Sequence, residues 1–135
     1  MTKLSVIEGI GEAYQAKLNA AGVDSVEKLL ELGGEKKGRK EIAEKTGISE
    51  KLVLNWVNRA DLSRIKGVST QYADLLEFAG VDTVPELAQR RPDNLHKKML
   101  EVNEEKKLVR RPPALSEVEK WVAQAKELPR KINYS

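Results

Sequence analysis

The sequence predicts an all-α protein in which one helical unit occurs twice. Residues 7–11 read Ile-Glu-Gly-Ile-Gly, and residues 65–69 read Ile-Lys-Gly-Val-Ser, 58 positions later. Tyr14 and Tyr72 keep this offset, as do the Ala-Gly-Val-Asp sequences at 21–24 and 79–82. The chain contains no sustained alternation of apolar and polar residues, which is the pattern of a half-buried strand. We therefore expect helices only, in two similar units.

Composition narrows the class of protein. Hydrophobic residues make up 40% of the 135 residues and charged residues 33%, as in soluble helical proteins. No run approaches the roughly 20 apolar residues of a membrane span, and residues 1–5 lack the apolar core of a signal peptide. The chain has no cysteine, which excludes disulfides and thiolate metal sites. We expect a cytoplasmic protein that does not enter membranes.

The first unit is predicted to contain four helices. Apolar residues at three- and four-residue steps from Glu12 indicate one helical face, and Gly22 ends that helix; the face comprises Ala13, Tyr14, Leu18 and Ala21. Asp24 or Ser25 caps the next helix, which ends at 33–34. The third covers 36–46 with Ile42 and Ala43 inward and its cations outward (Lys36, Lys37, Arg39 and Lys40). Gly47 breaks it, and Ser49 caps a fourth with a broad apolar stripe that includes Trp56.

The second unit follows the same plan up to an insertion. Thr83 starts its second helix, Leu95, Met99 and Val102 mark the third, and Ser-Glu-Val-Glu at 116–119 is a capping-box pattern that opens the last. Trp121 corresponds to Trp56 at an offset of 65, so seven extra residues lie near 109–115. Because that segment contains two consecutive prolines, we predict an inserted basic loop.

We place the first unit at residues 1–62 and the second at 63–135. The junction at 59–64 does not have the composition of a flexible linker. The two units are therefore expected to pack as one compact pseudo-symmetric domain.

The two glycine turns are the candidate binding sites. A turn of this type anchors its central apolar residue between two helices and directs backbone N–H groups outward beside a helix N-terminus. Those donors and the helix dipole attract phosphate. Gly9, Ile10 and Gly11 fit this requirement. Gly67, Val68 and Ser69 fit it less well, although Ser69 or Thr70 could cap the helix that follows.

Residues 5–30 and 63–88 resemble the helix-hairpin-helix superfamily, which includes non-sequence-specific DNA-binding modules. Residues 6–129 resemble an uncharacterised family of duplicated helix-hairpin-helix proteins, a domain of unknown function found largely in bacteria and archaea. The similarity includes the turn at 7–11, Thr-Gly-Ile-Ser-Glu-Lys at 46–51, Trp-Val-Asn-Arg-Ala-Asp-Leu at 56–62, Ile-Lys-Gly-Val at 65–68, Asp-Leu-Leu-Glu at 74–77 and Val-Asn-Glu-Glu-Lys at 102–106. The resemblance implies two tandem helix-hairpin-helix repeats of DNA-binding ancestry without an established activity.

The distribution of charge is compatible with two kinds of function, DNA binding and protein–protein interaction. DNA-binding hairpins usually carry Lys or Arg just after the turn, but here Glu12, Ala13, Thr70 and Gln71 occupy those positions. The whole net charge of +3 lies in 63–135. Lys17, Lys66, Arg110 and Arg111 are therefore the cations expected to assist sequence-independent binding of double-stranded DNA. In the alternative, the turns only pack, and the charged faces or the 109–115 loop bind a protein partner.

A second nucleic-acid hypothesis concerns residues 39–58, whose apolar residues and turn glycine match a helix-turn-helix. Its last helix would present Lys51, Asn55, Asn58 and Arg59 to a DNA groove. Against this, the helix opens with Glu50 and the second unit lacks the pattern. Two helices around a glycine turn also occur in any small helical bundle.

Nothing in the sequence points to catalysis. His96 is the only histidine, has no acidic cluster near it and is interpreted as a structural residue, solvent-facing or partly buried. The chain shows neither the spacing of metal ligands nor a phosphate-binding P-loop. We expect no enzymatic activity, metal, cofactor or small-molecule substrate.

Overall fold

The computed structural model describes residues 2–7 and 9–133, and within these ranges the chain is entirely helical. After a 3₁₀ turn at Leu4–Val6 come eight helices: α1 Glu12–Ala20, α2 Val26–Gly33, α3 Lys36–Thr46, α4 Glu50–Leu62, α5 Thr70–Phe78, α6 Val84–Ala88, α7 Pro92–Lys106 and α8 Leu115–Glu127. The described residues form no strand. The prediction of an all-α fold is confirmed.

The chain divides into two units, each with its own core. The first contains the described residues up to 61 together with 131–133, and the second contains 62–130. Trp56 lies in the first core and Trp121 in the second, and each is 2% exposed. The other large residues of the first core include Leu4, Leu18, Leu29 and Ile132, and those of the second include Leu75, Leu76, Leu87 and Met99. The packing of the units into one domain stays a prediction.

The repeated sequence folds into the same local structure in both units. Val23 N–H donates to the Leu18 carbonyl at 2.8 Å, and Val81 N–H donates to the Leu76 carbonyl at the same distance. Both bonds follow a glycine with positive φ, Gly22 at +89° and Gly80 at +99°. These glycines end α1 and α5, because a left-handed residue there is compatible with glycine at little steric cost.

The helix that follows each glycine is capped as the sequence predicts. The Ser25 hydroxyl accepts a hydrogen bond from Lys28 N–H at 3.1 Å at the start of α2. The Thr83 hydroxyl accepts one from Glu86 N–H at 3.4 Å at the start of α6. Ser49 caps α4 by accepting from Leu52 N–H at 3.2 Å. These bonds satisfy amides that a helix leaves without intrahelical partners.

The start of α8 differs from the prediction by two residues. The expected capping box at 116–119 is wrong, because the helix begins at Leu115 with Ala114 as its N-cap. Glu117, rather than Glu119, reaches back and accepts a hydrogen bond from Ala114 N–H at 3.1 Å. Alanine has no side-chain acceptor, so this bond supplies only the second half of a capping box.

Arg39 is buried, which corrects its predicted place among the outward cations of α3. Only 5% of the residue is exposed. Its Nη1 donates to the carbonyls of Gly33 at 2.9 Å and Gly34 at 3.0 Å, and its Nη2 donates to the carbonyl of Asn133 at 2.7 Å. The guanidinium thus joins the end of α2 to the C-terminal segment, whose Ile132 is 2% exposed in the first core.

We predict that Arg39→Leu lowers the free energy of unfolding by about 3 kcal/mol. The substitution leaves buried carbonyls without a charged donor, and bonds to charged groups contribute roughly 1.5–3 kcal/mol each. Urea denaturation measures the loss. Lys40→Leu, an exposed change on the same helix, is the matched control and should stay within about 0.5 kcal/mol of the parent protein. Equal effects of the two substitutions would contradict this role of Arg39.

Candidate nucleic-acid interface

The structure explains why glycine and isoleucine occupy the first two positions of the first glycine turn. Gly9 adopts φ +93°, and an added Cβ there would lie 3.6 Å from Nε1 of Trp56. Ile10 is 4% exposed, and its N–H donates to the Ile7 carbonyl at 3.2 Å. Ile10 therefore anchors the turn through its side chain and uses its amide inside the turn, so neither group faces a ligand.

The second turn repeats this arrangement more tightly. Gly67 also has φ +93°, and an added Cβ would lie 3.0 Å from Nε1 of Trp121. Val68 is 8% exposed and donates its N–H to the Ile65 carbonyl at 3.2 Å. The side-chain amide of Gln124 accepts from Lys66 N–H at 3.0 Å and donates to the Lys66 carbonyl at 3.2 Å. No sequence pattern pointed to Gln124, which fixes the backbone just before the turn.

Tyrosine and tryptophan form an aromatic pair behind each turn. The ring centroids of Tyr14 and Trp56 lie 5.2 Å apart with an interplanar angle of 63°, and those of Tyr72 and Trp121 lie 5.3 Å apart at 52°. Both distances fall in the range of favourable edge and tilted aromatic contacts. The tyrosines stand on α1 and α5, so each pair connects the helix after the turn to the tryptophan helix.

The two helices that follow the turns differ at their N-termini. Gly11 is the N-cap of α1, and no side chain in the described part of the chain caps it. An added Cβ at Gly11 would have no atom within 4 Å, so this face of the turn is open. At α5 the Ser69 hydroxyl accepts from Tyr72 N–H at 3.2 Å, as the sequence predicts for Ser69. The first helix therefore offers more open amide donors than the second.

The charges around the first turn favour phosphate binding less than its open backbone amides do. Glu12 is exposed in the first turn of α1. Lys17 is also exposed but lies in the last turn of that helix. Lys17 lies six positions after Gly11, which corresponds to about 9 Å along a helix axis. The structure thus places a carboxylate, and not the predicted cation, beside the open amides.

In the second unit, hydrogen bonds from several helices hold the basic loop at 107–114. Tyr72 Oη donates to the Arg111 carbonyl at 2.9 Å, which ties the loop to the helix that follows the turn. The buried Asn103 amide bonds both the N–H and the carbonyl of Val109, at 2.9 and 3.1 Å. His96 Nε2 lies 3.0 Å from the Pro113 carbonyl. The half-buried His96 has the predicted structural role, and the loop lies beside α5.

The two arginines of the loop have different surroundings. Arg111 Nη2 lies 3.2 Å from Glu117 Oε1, while 76% of the Arg111 side chain stays exposed. Arg110 and Lys107 are exposed, and neither pairs with a carboxylate in residues 2–7 and 9–133. Of the predicted site residues, the structure therefore groups Gly67, Val68 and Ser69 with a loop that carries Arg110 and Arg111. Lys66 is exposed just before this turn.

The structure buries one of the four polar residues that the helix-turn-helix hypothesis for 39–58 assigns to a groove. α3 and α4 are joined by a short turn at 47–49, in which Gly47 has φ +75°. Lys51 and Asn55 are exposed as expected, but Asn58 is only 8% exposed and Arg59 is half-buried. The prediction that α4 presents Asn58 to a groove is wrong, because Asn58 lies on the buried side of the helix beside Val57.

The described residues form an all-helical protein whose exposed features of interest are two glycine turns and one basic loop. Within that part of the chain, no three His, Asp or Glu side chains are placed to hold a metal ion. No helix there is long and apolar enough to cross a membrane. The chain belongs to the DUF4332 family, a domain of unknown function whose model matches residues 8–128. Comparisons with curated proteins and with solved structures give no match.

We predict that Gly67→Ala destabilises the protein more than Gly9→Ala does. Both positions have φ +93°, which costs a residue with a Cβ about 1–3 kcal/mol. Gly67→Ala also forces the Trp121 indole to move, because the contact would be 3.0 Å instead of 3.6 Å. Urea unfolding followed by tryptophan fluorescence measures both changes.

Gly11→Ala is the control for this pair. Gly11 has φ −86° and open space at its Cβ position, so alanine fits there without strain. Its free energy of unfolding should change by less than about 1 kcal/mol. Equal losses at Gly9, Gly11 and Gly67 would contradict the structural role of the tryptophan contacts.

Proposed function

We propose that this chain is a non-catalytic, cytoplasmic module that binds double-stranded DNA independently of sequence, through two tandem helix-hairpin-helix repeats. The supporting observation is the position of the basic loop in the second unit. The 2.9 Å bond from Tyr72 Oη to the Arg111 carbonyl fixes this loop on the helix that begins at the glycine turn. A backbone phosphate near that turn would therefore meet amide donors and guanidinium groups together.

In this proposal the turn residues have separate roles. Ile10 and Val68 anchor the turns through buried side chains, and Gly9 and Gly67 allow the backbone to reverse. The phosphate would be bound by amides of the first helical turn, which begin at Gly11 in the first unit. Unpaired N–H groups and the positive end of the helix dipole favour an anion at this place.

The second unit carries exposed cations near its own turn, whereas the first unit has Glu12 beside its turn. Lys66 and Arg110 are exposed and carry no ion pair in the described part of the chain. Arg111 is paired with Glu117, but the Arg111 side chain is 76% exposed. Exposed ion pairs contribute only about 0–1 kcal/mol, so a phosphate can replace Glu117 at low cost.

The test is fluorescence anisotropy with an arbitrary DNA duplex at 50 and 200 mM salt. If Lys66, Arg110 and Arg111 neutralise about three phosphates, the association constant should fall roughly 40-fold between these concentrations. A second duplex of unrelated sequence should give the same values within about twofold, because phosphate contacts carry no sequence information. Absence of binding in the tens of micromolar range at 50 mM salt would exclude the proposal.

We predict that Gly11→Glu weakens binding to any duplex about tenfold relative to Gly11→Gln. The side chains have the same shape, and Gly11 has open space and an ordinary φ of −86°, so both variants fold. Only the glutamate places a negative charge where the phosphate would lie, and a tenfold loss corresponds to about 1.4 kcal/mol. Combining Gly11→Glu with Arg110→Ala should weaken binding further. Equal affinities of the Glu and Gln variants would show that this turn does not contact DNA.

A protein-interaction module is the second candidate function. It is favoured by the backbone of the turns, because the φ of +93° at Gly9 and Gly67 already requires glycine at both positions without any ligand. Glu12 at the open turn would also repel phosphate. Recovery of a partner after nuclease treatment, together with a flat DNA titration, would support this function. Loss of that partner in a variant of the 107–114 loop would locate the interface.

A further inference from the structure

An open groove of about 600 Å³ lies beside the basic loop of the second unit. It is lined by Gln71, Asn103, Glu104, Lys107, Leu108, Val109 and Arg110. Gln71 belongs to the first turn of α5, so the groove begins next to the second glycine turn. Its volume falls within the range of roughly 300–1,000 Å³ that is common for small-molecule sites.

The groove is a built feature because Asn103 fixes its floor. Asn103 is 9% exposed, and its side-chain amide forms hydrogen bonds with both the N–H and the carbonyl of Val109. Val109 is in turn 8% exposed and belongs to the second core. The loop segment that carries Lys107 and Arg110 is therefore held in one conformation by buried contacts, with its two cations at the surface.

Lys107 occupies a backbone position that favours glycine. It ends α7 with φ +51°, and it is the one residue other than glycine with positive φ in the described ranges. At the end of α3, the equivalent helix of the first unit, this position is held by Gly47 with φ +75°. A left-handed lysine is less favourable than glycine by roughly 1 kcal/mol. The second unit therefore has a cation at the groove, although the backbone conformation at this position favours glycine.

The lining of the groove matches one chemical class of ligand. Lys107 and Arg110 suit a phosphate group, and the half-buried Leu108 supplies apolar surface. The Glu104 carboxylate disfavours a second phosphate at its end of the groove and can accept a hydrogen bond from an amino or hydroxyl group. A nucleotide combines one phosphate, an apolar face and hydrogen-bond donors in one molecule.

We propose that this groove binds one unpaired nucleotide of a DNA strand, with its phosphate held by Lys107 and Arg110. The inference rests on the proposed DNA-binding function and adds a preference to it. A paired base lies inside the duplex, where Leu108 cannot reach it. A nucleotide in a single-stranded overhang can enter, because its base is free to pack against Leu108.

The first test compares one duplex with blunt ends and the same duplex with a four-nucleotide 5′ overhang. The full chain should bind the overhang form roughly threefold to tenfold more tightly, because burial of apolar surface against Leu108 adds to the phosphate contact. Lys107→Gly should remove this difference, while Lys107→Arg should keep it. The ratio of the two affinities is the readout, because loss of any cation weakens binding to all DNA.

The melting temperature of Lys107→Gly distinguishes a ligand-binding role of Lys107 from a structural role. Lys107→Gly relieves the positive φ, so its melting temperature should equal or exceed that of the parent chain. A clear fall in melting temperature would assign the lysine side chain to the fold and overturn the inference. Equal affinity for the blunt and overhang duplexes would overturn it as well.

A titration of the free protein tests the groove independently of duplex binding. Deoxyadenosine 5′-monophosphate should shift the NMR signals of the Gln71 side-chain amide and the Val109 and Arg110 backbone amides, and Lys107→Gly should abolish these shifts. Inorganic phosphate at the same concentration should shift them much less, and equal shifts would overturn the nucleotide assignment. Nucleotide shifts without any duplex binding would support the groove and exclude the proposed function.

Discussion

The packing of an indole ring against a glycine backbone is the constraint on which each unit depends. Gly9 and Gly67 share φ +93°, and the nitrogen of a buried tryptophan faces the place where a Cβ would stand. Each tryptophan also contacts the tyrosine of the following helix at just over 5 Å. Turn, helix and tryptophan helix are therefore mutually fixed, so the backbone direction at the start of α1 and α5 is determined by the core.

Sequence reasoning succeeded where local patterns control structure. Helix α3 spans the predicted 36–46, and Ser25, Ser49, Ser69 and Thr83 cap the expected helices. These features depend on neighbours within a few residues, which periodicity and capping preferences describe well. The predicted start of α8 is wrong because the sequence contains two possible N-caps there, Ala114 and Ser116. The helix begins soon after the prolines, where the Glu117 side chain accepts a hydrogen bond from Ala114 N–H. Ser116 therefore lies inside the helix and is not its N-cap.

The errors and omissions involve contacts that are distant in sequence. Arg39 looked like a surface cation because its helix neighbours are charged, but it donates to Asn133, 94 residues away. Asn103 and Gln124 were likewise undetectable as loop and turn anchors, since their partners are backbone groups with no sequence signature. For the candidate site, the sequence identified Arg110 and Arg111 together. Only the 3.2 Å contact with Glu117 distinguishes the paired arginine from the unpaired one.

The two units divide between them the features that phosphate binding requires. The first keeps an open, uncapped turn at Gly11 but places Glu12 beside it and ends α3 with a glycine. The second caps its turn with Ser69 but carries Lys66, Arg110 and the left-handed Lys107. A turn kept only for packing needs its glycine, its buried apolar residue and its tryptophan, and both units have all of these. It does not need a lysine where the backbone favours glycine. Packing therefore accounts for the features that the two units share, whereas the left-handed Lys107 and the exposed Arg110 of the 107–114 loop are specific to the second unit.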